Sequence, residues 1–411
     1  MPINPLQLTR LACGKLERGL PAGMRENGWA VARAAGQLSS RPLGGKPMLC
    51  SRCALPENYP GIRFDTNGVC NFCRLYREEE YLGAEALDRR LKDALQGTSP
   101  YTCVVPVSGG KDSTYVLYYI AKVLGLKTIA VNYDNGFTHP QATENLRQIV
   151  ERLEIELVTI RGSNQRKFMV GNLKSFLSRP TPAMVPLMCT GCRVGVVGSA
   201  CKVAREHDVN LIVMGWSWLE DTPFKATLLA ADGGSVVKGL AKNLVLNPRY
   251  LLYGGAITQV MDYLHSYSRI REWGSILQVL HPGIRQIAFF DYIEYNPERI
   301  QEEVIDKVGW SCADPENSWQ FDCQIKSLQN CLYRTLLGFT ASNDYLSAKI
   351  REGYITREQA LESLEKQKER ASTELESACT LLSRIGATNL VPRLEKMIKA
   401  PPLNERRGFR P

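Results

Sequence analysis

A glycine-rich segment between an apolar run and a helical pattern carries the strongest chemical signal in this sequence. It spans residues 106–114 and reads Pro-Val-Ser-Gly-Gly-Lys-Asp-Ser-Thr. Two adjacent glycines let backbone N–H groups turn toward one point, and the next helix adds the positive end of its dipole, so the segment predicts a polyphosphate site. Asp112 supplies a carboxylate of the kind that holds Mg²⁺ beside a pyrophosphate. The Walker A pattern is absent, and a glycine-rich turn without a ligand is the alternative.

Two Cys-x-x-Cys pairs lie upstream of this loop and could hold a metal. They are Cys50 with Cys53 and Cys70 with Cys73, and 16 residues separate the inner two cysteines. Four thiolates at this spacing suit a tetrahedral structural Zn²⁺. Because so short a segment lacks a core of its own, the metal would supply much of its folding free energy. Free core thiols and an iron–sulfur site are the alternatives.

Short apolar runs alternate with helical periodicity on both sides of the loop. The runs that predict strands are residues 102–107, 127–133, 156–160 and 210–215. The segments that predict helices are residues 113–124, 140–153 and 195–207. Apolar runs with little polar alternation are typical of parallel strands that are buried on both faces. The sequence therefore predicts an α/β fold with a doubly wound parallel sheet, in which the loop follows the first strand.

Composition places broad limits on the class of protein. Of 411 residues, 44% are hydrophobic and 23% are charged, which argues against wholesale disorder. No apolar run approaches the roughly 18 residues that a membrane span needs. The formal net charge of +9 is compatible with phosphate-bearing partners without establishing nucleic-acid binding. Thirteen cysteines, partly in Cys-x-x-Cys pairs and without a secretory signal, predict a reducing, cytoplasmic environment.

The chain divides into five expected regions. They are a basic N-terminal extension at 1–47, the cysteine knuckle at 48–76, the loop-bearing domain at 100–221, a partly helical substrate or insertion region at 222–345, and a C-terminal helical segment at 346–411. The extension indicates a solvated tail, an organelle-targeting leader or an arm for an anionic partner. The C-terminal segment has a capping box at 356–359 and then an apolar helical stripe of Leu361, Leu364, Ala371, Leu375, Ala378, Leu382 and Ile385. This pattern is typical of a packing or dimerisation helix, so a homodimer is one expected assembly.

The Ser-Gly-Gly-Lys-Asp-Ser motif resembles the PP-loop of the ATP pyrophosphatase superfamily, also called adenine nucleotide alpha-hydrolase-like. Those enzymes cleave ATP between its α- and β-phosphates, adenylate a carbonyl or enol oxygen, and let a nucleophile displace AMP. The resemblance implies that phosphates and Mg²⁺ meet Ser108, Gly109, Gly110, Lys111, Asp112, Ser113 and Thr114, with Lys111 and Asp112 closest to the chemistry. It also implies adenosine contacts at Asn132 and Asp134, with Gly215 flanking the same cleft.

Two further stretches narrow the resemblance. The knuckle at 50–73 and the segment at 350–360, preceded by Phe321-Asp-Cys323 and Gly338-Phe339, are similar to N-acetyl sugar amidotransferases of surface-polysaccharide biosynthesis. The match runs from about residue 48 to 365 and is broken at 222–300. In that family a synthetase subunit takes ammonia from a separate glutaminase and converts an N-acetyl group into an acetamidino group. The resemblance thus implies a glutaminase partner and a nucleotide-sugar-like or other small acceptor.

A third Cys-x-x-Cys pair, Cys189 and Cys192, is not required for nitrogen transfer. Among PP-loop enzymes a pair at this position resembles tRNA-thiolating enzymes, which hold a [4Fe-4S] cluster on three thiolates. Cys323 or Cys312 would then be the third ligand and tRNA the partner. A buried, turn-stabilising pair and a catalytic persulfide are the other interpretations. Cys103 lies within a predicted strand and is expected to be a core residue.

Three functional hypotheses follow. The first is ATP-dependent nitrogen transfer, the second is ATP-dependent sulfur transfer, and the third is a nucleotide-binding scaffold without catalysis. Glu220 and Asp221 follow the fourth strand, where they either bind Mg²⁺ or substrate or form ordinary surface charge. His139 either lines the cleft or is a plain loop residue. The acceptor pocket would lie in the region around 222–300, to which the sequence assigns no motif.

Overall fold

The computed structural model describes residues 47–94, 99–162, 165–189, 191–220, 222–229, 281–312, 318–319 and 321–399, with positions 245 and 248. Its strands are β1 Cys103–Pro106, β2 Thr128–Asp134, β3 Glu156–Arg161, β4 Leu211–Met214 and β5 Arg285–Ala288. They form one sheet of order β3-β2-β1-β4-β5, and all neighbours are parallel. The prediction of an α/β fold with a parallel sheet is therefore confirmed.

The helices of the described residues follow in chain order. They are α1 Asn71–Arg74, α2 Ala84–Ala94, α3 Lys111–Tyr118, α4 Pro140–Leu153, α5 Gln165–Ser178, α6 Cys192–Glu206, α7 Pro223–Leu229, α8 Pro297–Val308, α9 Ile325–Leu337, α10 Ala341–Arg351, α11 Arg357–Glu369, α12 Ala371–Arg384 and α13 Val391–Lys399. A π-helical turn, Tyr119–Val123, continues α3, and short 3-10 turns include Pro186–Cys189 and Trp218–Glu220.

Successive residues of a strand point to opposite sides of the sheet, so both faces carry apolar side chains. Helices cover both of these faces. In β1, Val105 packs into a core that includes Tyr115 of α3 and Ile300 of α8. Its neighbour Val104 packs on the other face against Val197 of α6. The continuous apolar runs of the sequence therefore correspond to strands that bury both faces.

The cysteine knuckle shares a core with the C-terminal helices. Cys50 and Tyr59 belong to the same buried cluster as Leu332 of α9 and Leu382 of α12. The backbone N–H of Ala54 donates to the Ser347 hydroxyl of α10 across 3.1 Å. The first and last described parts of the chain thus pack together.

Two expectations about secondary structure need correction. The stretch 222–300, expected to be mostly helical, contains one strand, since Arg285–Ala288 form β5, an edge strand paired with β4. Residues 230–280 of that stretch, apart from positions 245 and 248, lie outside the described residues. The stripe from Leu361 to Ile385 looked continuous, yet it is divided between α11 and α12 at Arg370. The capping box is confirmed, since Thr356 and Gln359 bond each other's backbone N–H groups. No helix among the described residues has the length and apolarity to cross a lipid bilayer.

Candidate functional site

The glycine-rich loop leaves the carboxyl end of β1 and enters α3 at Lys111. In this sheet β1 lies between β2 and β4, so the strand order reverses beside the loop. Crevices at such reversal points, outside the carboxyl ends of the strands, are where open α/β sheets bind their ligands. The loop therefore occupies the position in the fold that best suits a ligand site.

Gly109 occupies a position in the loop where a residue with a side chain does not fit. Its φ of +82° lies in the left-handed region, and a Cβ there would approach the Ala142 carbonyl oxygen to 1.9 Å. The Gly109 carbonyl in turn accepts hydrogen bonds from the Trp310 indole N–H at 2.9 Å and from the Asn145 amide at 3.4 Å. The loop is thus fixed by α4 on one side and by the distant Trp310 on the other.

The loop hydroxyls are organised around the start of α3. The Ser108 backbone N–H donates to the Ser113 hydroxyl at 3.2 Å, and the Gly110 N–H donates to the Ser108 hydroxyl at 3.3 Å. Gly110 is the N-cap of α3 and provides no side-chain cap. Because the first N–H groups of a helix have no intrahelical acceptors, this helix start is suited to an anion. Thr114, in contrast, is buried within α3.

Lys111 does not extend into the open mouth of the loop. Its side chain is 2% exposed, and its ammonium donates to Asp112 Oδ1 at 2.5 Å and to the Tyr295 hydroxyl at 2.8 Å. The ammonium also lies 5.0 Å from the centre of the Tyr295 ring. Burial, followed by the Asp112 charge, raises the pKa of Tyr295, so this hydroxyl stays protonated. Lys111 is therefore arranged to hold Asp112, which keeps 15% of its side chain exposed.

Asp322 is a second carboxylate at the loop, and no interpretation of the sequence gave it a role. A Cβ on Gly110 would lie 3.3 Å from Asp322 Oδ2, so this carboxylate touches the loop directly. Burial raises the pKa of Asp322, the Ser108 hydrogen bond opposes that rise, and the Asp112 charge adds to it. The Asp322 carbonyl accepts from the His139 N–H at 2.8 Å, which secures its segment beside α4. Only the tertiary fold reveals this placement.

The other predicted nucleotide contacts lie at the same edge of the sheet. Asn132 and Asp134 end β2, which pairs with β1 in parallel. The Asp134 carboxylate accepts from the Gly136 N–H at 2.9 Å and lies 3.6 Å from Arg161. Gly215 follows β4, and a Cβ there would come within 3.1 Å of the Ser113 Cα. The fold thus gathers these residues around the loop, and their roles toward a nucleotide stay predictions.

The remaining cysteines approach the same edge from two directions. The Asn135 amide donates to the Cys192 sulfur at 3.4 Å, and Cys192 is the first residue of α6. Cys323 forms an antiparallel bridge with Thr138, which lies three residues after Asn135 in the same turn. The side chain of Cys189 lies outside the described residues, so the three-thiolate cluster stays a prediction.

Four other sequence candidates have different outcomes. Glu220 is half-buried, and its charge acts on Tyr295 and Tyr345. Its neighbour Asp221 lies outside the described residues. His139 caps α4, since its Nδ1 accepts from the Gln141 N–H at 3.2 Å, and it also lines the cleft described below. Cys103 is fully buried in β1, which raises the pKa of its thiol to about 12 and fits the expected core role.

The four knuckle cysteines form one buried group. Cys50, Cys53, Cys70 and Cys73 are at most 2% exposed, and their sulfur atoms all lie within 4.8 Å of one another. The backbone N–H groups of Cys53 and Cys70 donate to the Cys50 sulfur at 3.4 and 3.2 Å. Hydrogen bonds from the Cys53 thiol and then the other two thiols lower the pKa of Cys50. The group could therefore hold a metal such as zinc.

Two arginines of the C-terminal helices fit this group electrostatically. Four thiolates around one Zn²⁺ leave a net charge of about −2, which needs positive neighbours when buried. Burial works against the charge of Arg351, but the Cys53 and Cys73 sulfurs raise its pKa. The Arg357 guanidinium donates to the carbonyls of Cys50 and Cys53 at 3.1 and 3.2 Å. Both the donor set and its surroundings therefore suit a tetrathiolate metal site.

A cleft of about 1140 Å³, with polar and apolar surface in nearly equal parts, adjoins the loop. Its lining includes Lys111 and His139, the Phe321 and Cys323 side chains, and residues of α8 to α12. This volume slightly exceeds that of most small-molecule sites, which is about 300 to 1,000 Å³. A ligand in this cleft would lie beside the loop.

A scan against protein-family models finds none that matches the chain. A search of curated proteins finds no match either.

Proposed function

We propose that this protein uses ATP to adenylate an amide or carbonyl oxygen of an acceptor, with release of AMP and pyrophosphate. The observation that carries the proposal is the loop at residues 106–114, positioned at the carboxyl end of β1 where the strand order reverses. Gly109 supports it, since only glycine permits both its φ and its contact with α4. Adenylation is useful because an amide oxygen is otherwise a poor leaving group.

The loop residues have distinct tasks in this proposal. The N–H groups at the start of α3 and the Ser108 and Ser113 hydroxyls would stabilise the charge that builds up on the leaving pyrophosphate. Asp112, held by Lys111, would be the carboxylate ligand of Mg²⁺, which neutralises phosphate charge when bound. Asn132, Asp134 and Gly215 at the neighbouring strand ends would contact the adenosine. In this arrangement Lys111 orients Asp112 and does not contact phosphate.

We assign nitrogen as the preferred nucleophile, as in N-acetyl sugar amidotransferases. The two stretches that carry this resemblance, 50–73 and 350–360, support it by their contact: Arg357 bonds the carbonyls of Cys50 and Cys53. In this proposal Zn²⁺ would stabilise the fold and take no part in the reaction. Ammonia would come from a glutaminase subunit, and the acceptor would be a nucleotide-sugar-like or similar small molecule.

Sulfur transfer is the second candidate, and the positions of two cysteines favour it. Cys192 contacts Asn135 and Cys323 pairs with Thr138, so both lie along the turn that follows the expected adenosine strand. A persulfide or a cluster held there would deliver sulfur close to an adenylated acceptor. This reaction would need Cys192 and Cys189, whereas nitrogen transfer would not.

Product analysis separates these functions. The protein would be incubated with ATP, Mg²⁺, ammonium and a pool of small-molecule acceptors, and nucleotide products would be resolved by chromatography. Equal amounts of AMP and pyrophosphate support the proposal, whereas ADP with inorganic phosphate contradicts it. Asp112→Asn should remove turnover and keep the fold. Activity that survives Cys189→Ser with Cys192→Ser supports nitrogen, and activity lost together with a bound cluster supports sulfur.

A further inference from the structure

The peptide that joins Gly109 to Gly110 has its carbonyl and its N–H on different sides of the loop. The Gly109 carbonyl oxygen accepts from the indole N–H of Trp310 at 2.9 Å and from the side-chain amide of Asn145 at 3.4 Å. Both donors are buried, with exposed fractions of 2% and 0%. Because a trans peptide points its carbonyl and its N–H in opposite directions, the Gly110 N–H faces away from this interior. It donates to the half-buried Ser108 hydroxyl at 3.3 Å.

The loop backbone alone does not fix this orientation. A peptide between two glycines turns over at little steric cost, because neither residue has a Cβ that restricts φ and ψ. In the reverse orientation the Gly109 carbonyl oxygen would point to the open side of the loop, and its partial negative charge would repel an anion. The observed orientation instead presents an N–H donor, the group with which glycine-rich loops bind phosphate. The direction of this one peptide therefore decides whether the loop attracts or repels an anion at this point.

Asn145 is suited to hold the carbonyl because all of its own polar groups have partners. Its amide N–H groups donate to the carbonyls of Gly109 and Ser311, at 3.4 and 2.8 Å. Its side-chain oxygen accepts from the Ser311 N–H at 3.2 Å and from the Gln141 amide at 3.3 Å. Rotation of this buried side chain would leave several polar groups without partners, which is costly in the interior. Asn145 therefore presents its N–H to Gly109 in one fixed direction.

Trp310 holds the same carbonyl from the end of α8. Gly309 ends this helix with a φ of +73°, and the Trp310 backbone N–H then donates to the Val304 carbonyl at 3.1 Å. The indole packs edge to face against Phe321, with ring centres 5.4 Å apart. An indole has one N–H and no acceptor, so a reversed peptide would leave this buried donor unpaired. Reversal would thus break two buried hydrogen bonds, one from each donor.

We infer that Trp310 and Asn145 are positioning residues, which keep the peptide between Gly109 and Gly110 in the orientation that binds phosphate. The inference rests on the proposed function, because it gives both residues a task in binding the pyrophosphate part of ATP. With the carbonyl held in the interior, the Gly110 N–H can exchange its long bond to Ser108 for a phosphate oxygen while the backbone stays in place. A donor that is oriented in advance stabilises charge without a cost of reorganisation.

The test compares a phosphate probe with a neutral probe. Inorganic pyrophosphate with Mg²⁺, and adenosine, are titrated into the full chain by calorimetry. Trp310→Phe removes the indole N–H and keeps an aromatic ring in the core, and Asn145→Ala is a second variant that removes the other donor. The matched control is Thr128→Val, which also removes a buried donor to a backbone carbonyl, that of Cys103 at 2.8 Å. Thr128 begins β2 and therefore lies at the edge of the sheet opposite to the loop.

Near-ultraviolet circular dichroism first identifies the variants that are folded at the temperature of the titration. Trp310→Phe and Asn145→Ala should bind pyrophosphate about tenfold or more weakly than the wild type, the effect expected when a hydrogen bond to a charged group is lost. Their affinity for adenosine should stay unchanged, and Thr128→Val should bind both probes like the wild type. Unchanged pyrophosphate affinity in a folded variant, or an equal fall for both probes, overturns the inference. Failure of the wild type to bind pyrophosphate contradicts the proposed function instead.

Discussion

Lys111 and Tyr295 are 184 positions apart, yet the lysine ammonium donates to the tyrosine hydroxyl across 2.8 Å in the interior of the protein. This contact joins the glycine-rich loop to the segment that follows β5. It also turns the lysine away from the mouth of the loop and places its charge next to Asp112. The expected magnesium ligand is therefore held by a residue from the second half of the chain.

Tyr295→Phe should lower the stability of the fold and weaken the response of ATP turnover to Mg²⁺. The buried Lys111 ammonium would lose one hydrogen-bond partner, which costs about 1.5 to 3 kcal/mol for a charged group. We also expect a higher Mg²⁺ concentration for half-maximal ATP turnover, since Asp112 would be held less firmly. Denaturant unfolding and a Mg²⁺ titration measure the two effects.

Tyr354→Phe is the matched control for that change. Its hydroxyl donates at 2.8 Å to the backbone carbonyl of Tyr295 and not to the side chains that hold Asp112. It should lower stability without moving the Mg²⁺ dependence. An unchanged Mg²⁺ dependence in Tyr295→Phe would contradict the positioning role of Tyr295.

Gly109→Ala should damage the loop far more than Gly125→Ala. Both glycines have positive φ, at +82° and +64°, so an alanine is strained at either position by about 1 kcal/mol. Only at Gly109 does the new Cβ also meet the Ala142 carbonyl oxygen, at 1.9 Å, whereas nothing lies within 4 Å at Gly125. The affinity for α,β-methylene-ATP should therefore fall in the first variant alone. Equal affinities in the two variants would show that the loop geometry is not needed for nucleotide binding.

Substitution of one knuckle cysteine should abolish metal binding and lower the free energy of unfolding substantially. We expect about one zinc per chain in the purified protein, and Cys50→Ser should lose it together with several kcal/mol of unfolding free energy. Cys331→Ser is the control, because Cys331 is also buried but lies in α9 outside the four-cysteine group. Metal analysis and thermal unfolding decide the question. A metal-free protein of undiminished stability would contradict the structural zinc site.

Glu352 should make the folded state less stable as the pH rises. Burial raises the pKa of this carboxyl from 4.5 to about 7, so the folded protein binds the proton more tightly than the unfolded chain. The resulting stabilisation is complete below about pH 4.5 and is lost as the pH rises through 7, with a size of about 1 to 3 kcal/mol. Glu352→Gln should flatten this part of the stability curve. An unaltered slope between pH 5 and pH 7, roughly the window of the shift, would exclude Glu352 as its source.

The sequence predicted the parts of the fold that depend on local pattern. The apolar runs at β1 to β4 and the loop after β1 are local signals, and the structure confirms those strands. It did not predict β5, because Arg285-Gln-Ile-Ala lies at a sheet edge and alternates too little to be recognised. Composition and spacing likewise predicted the four-cysteine group, which the structure brings together.

The candidate site was harder to predict, since its arrangement depends on contacts between distant segments. The contacts of Trp310 and Asp322 with the loop and of Tyr295 with Lys111 join residues that no local pattern connects. These residues meet at the loop, which lies where the strand order reverses at β1.

The most direct test of acceptor adenylation determines whether the oxygen that AMP gains comes from the acceptor or from water. ATP turnover with the acceptor pool would be run in water enriched in ¹⁸O, and the nucleotide products would be analysed by mass spectrometry. If the acceptor oxygen attacks the α-phosphate and leaves with AMP, both AMP and pyrophosphate should carry no label from water. Labelled AMP would mean that water attacks ATP directly, and formation of ADP would mean cleavage at another bond. Either result would contradict an enzyme that adenylates its acceptor.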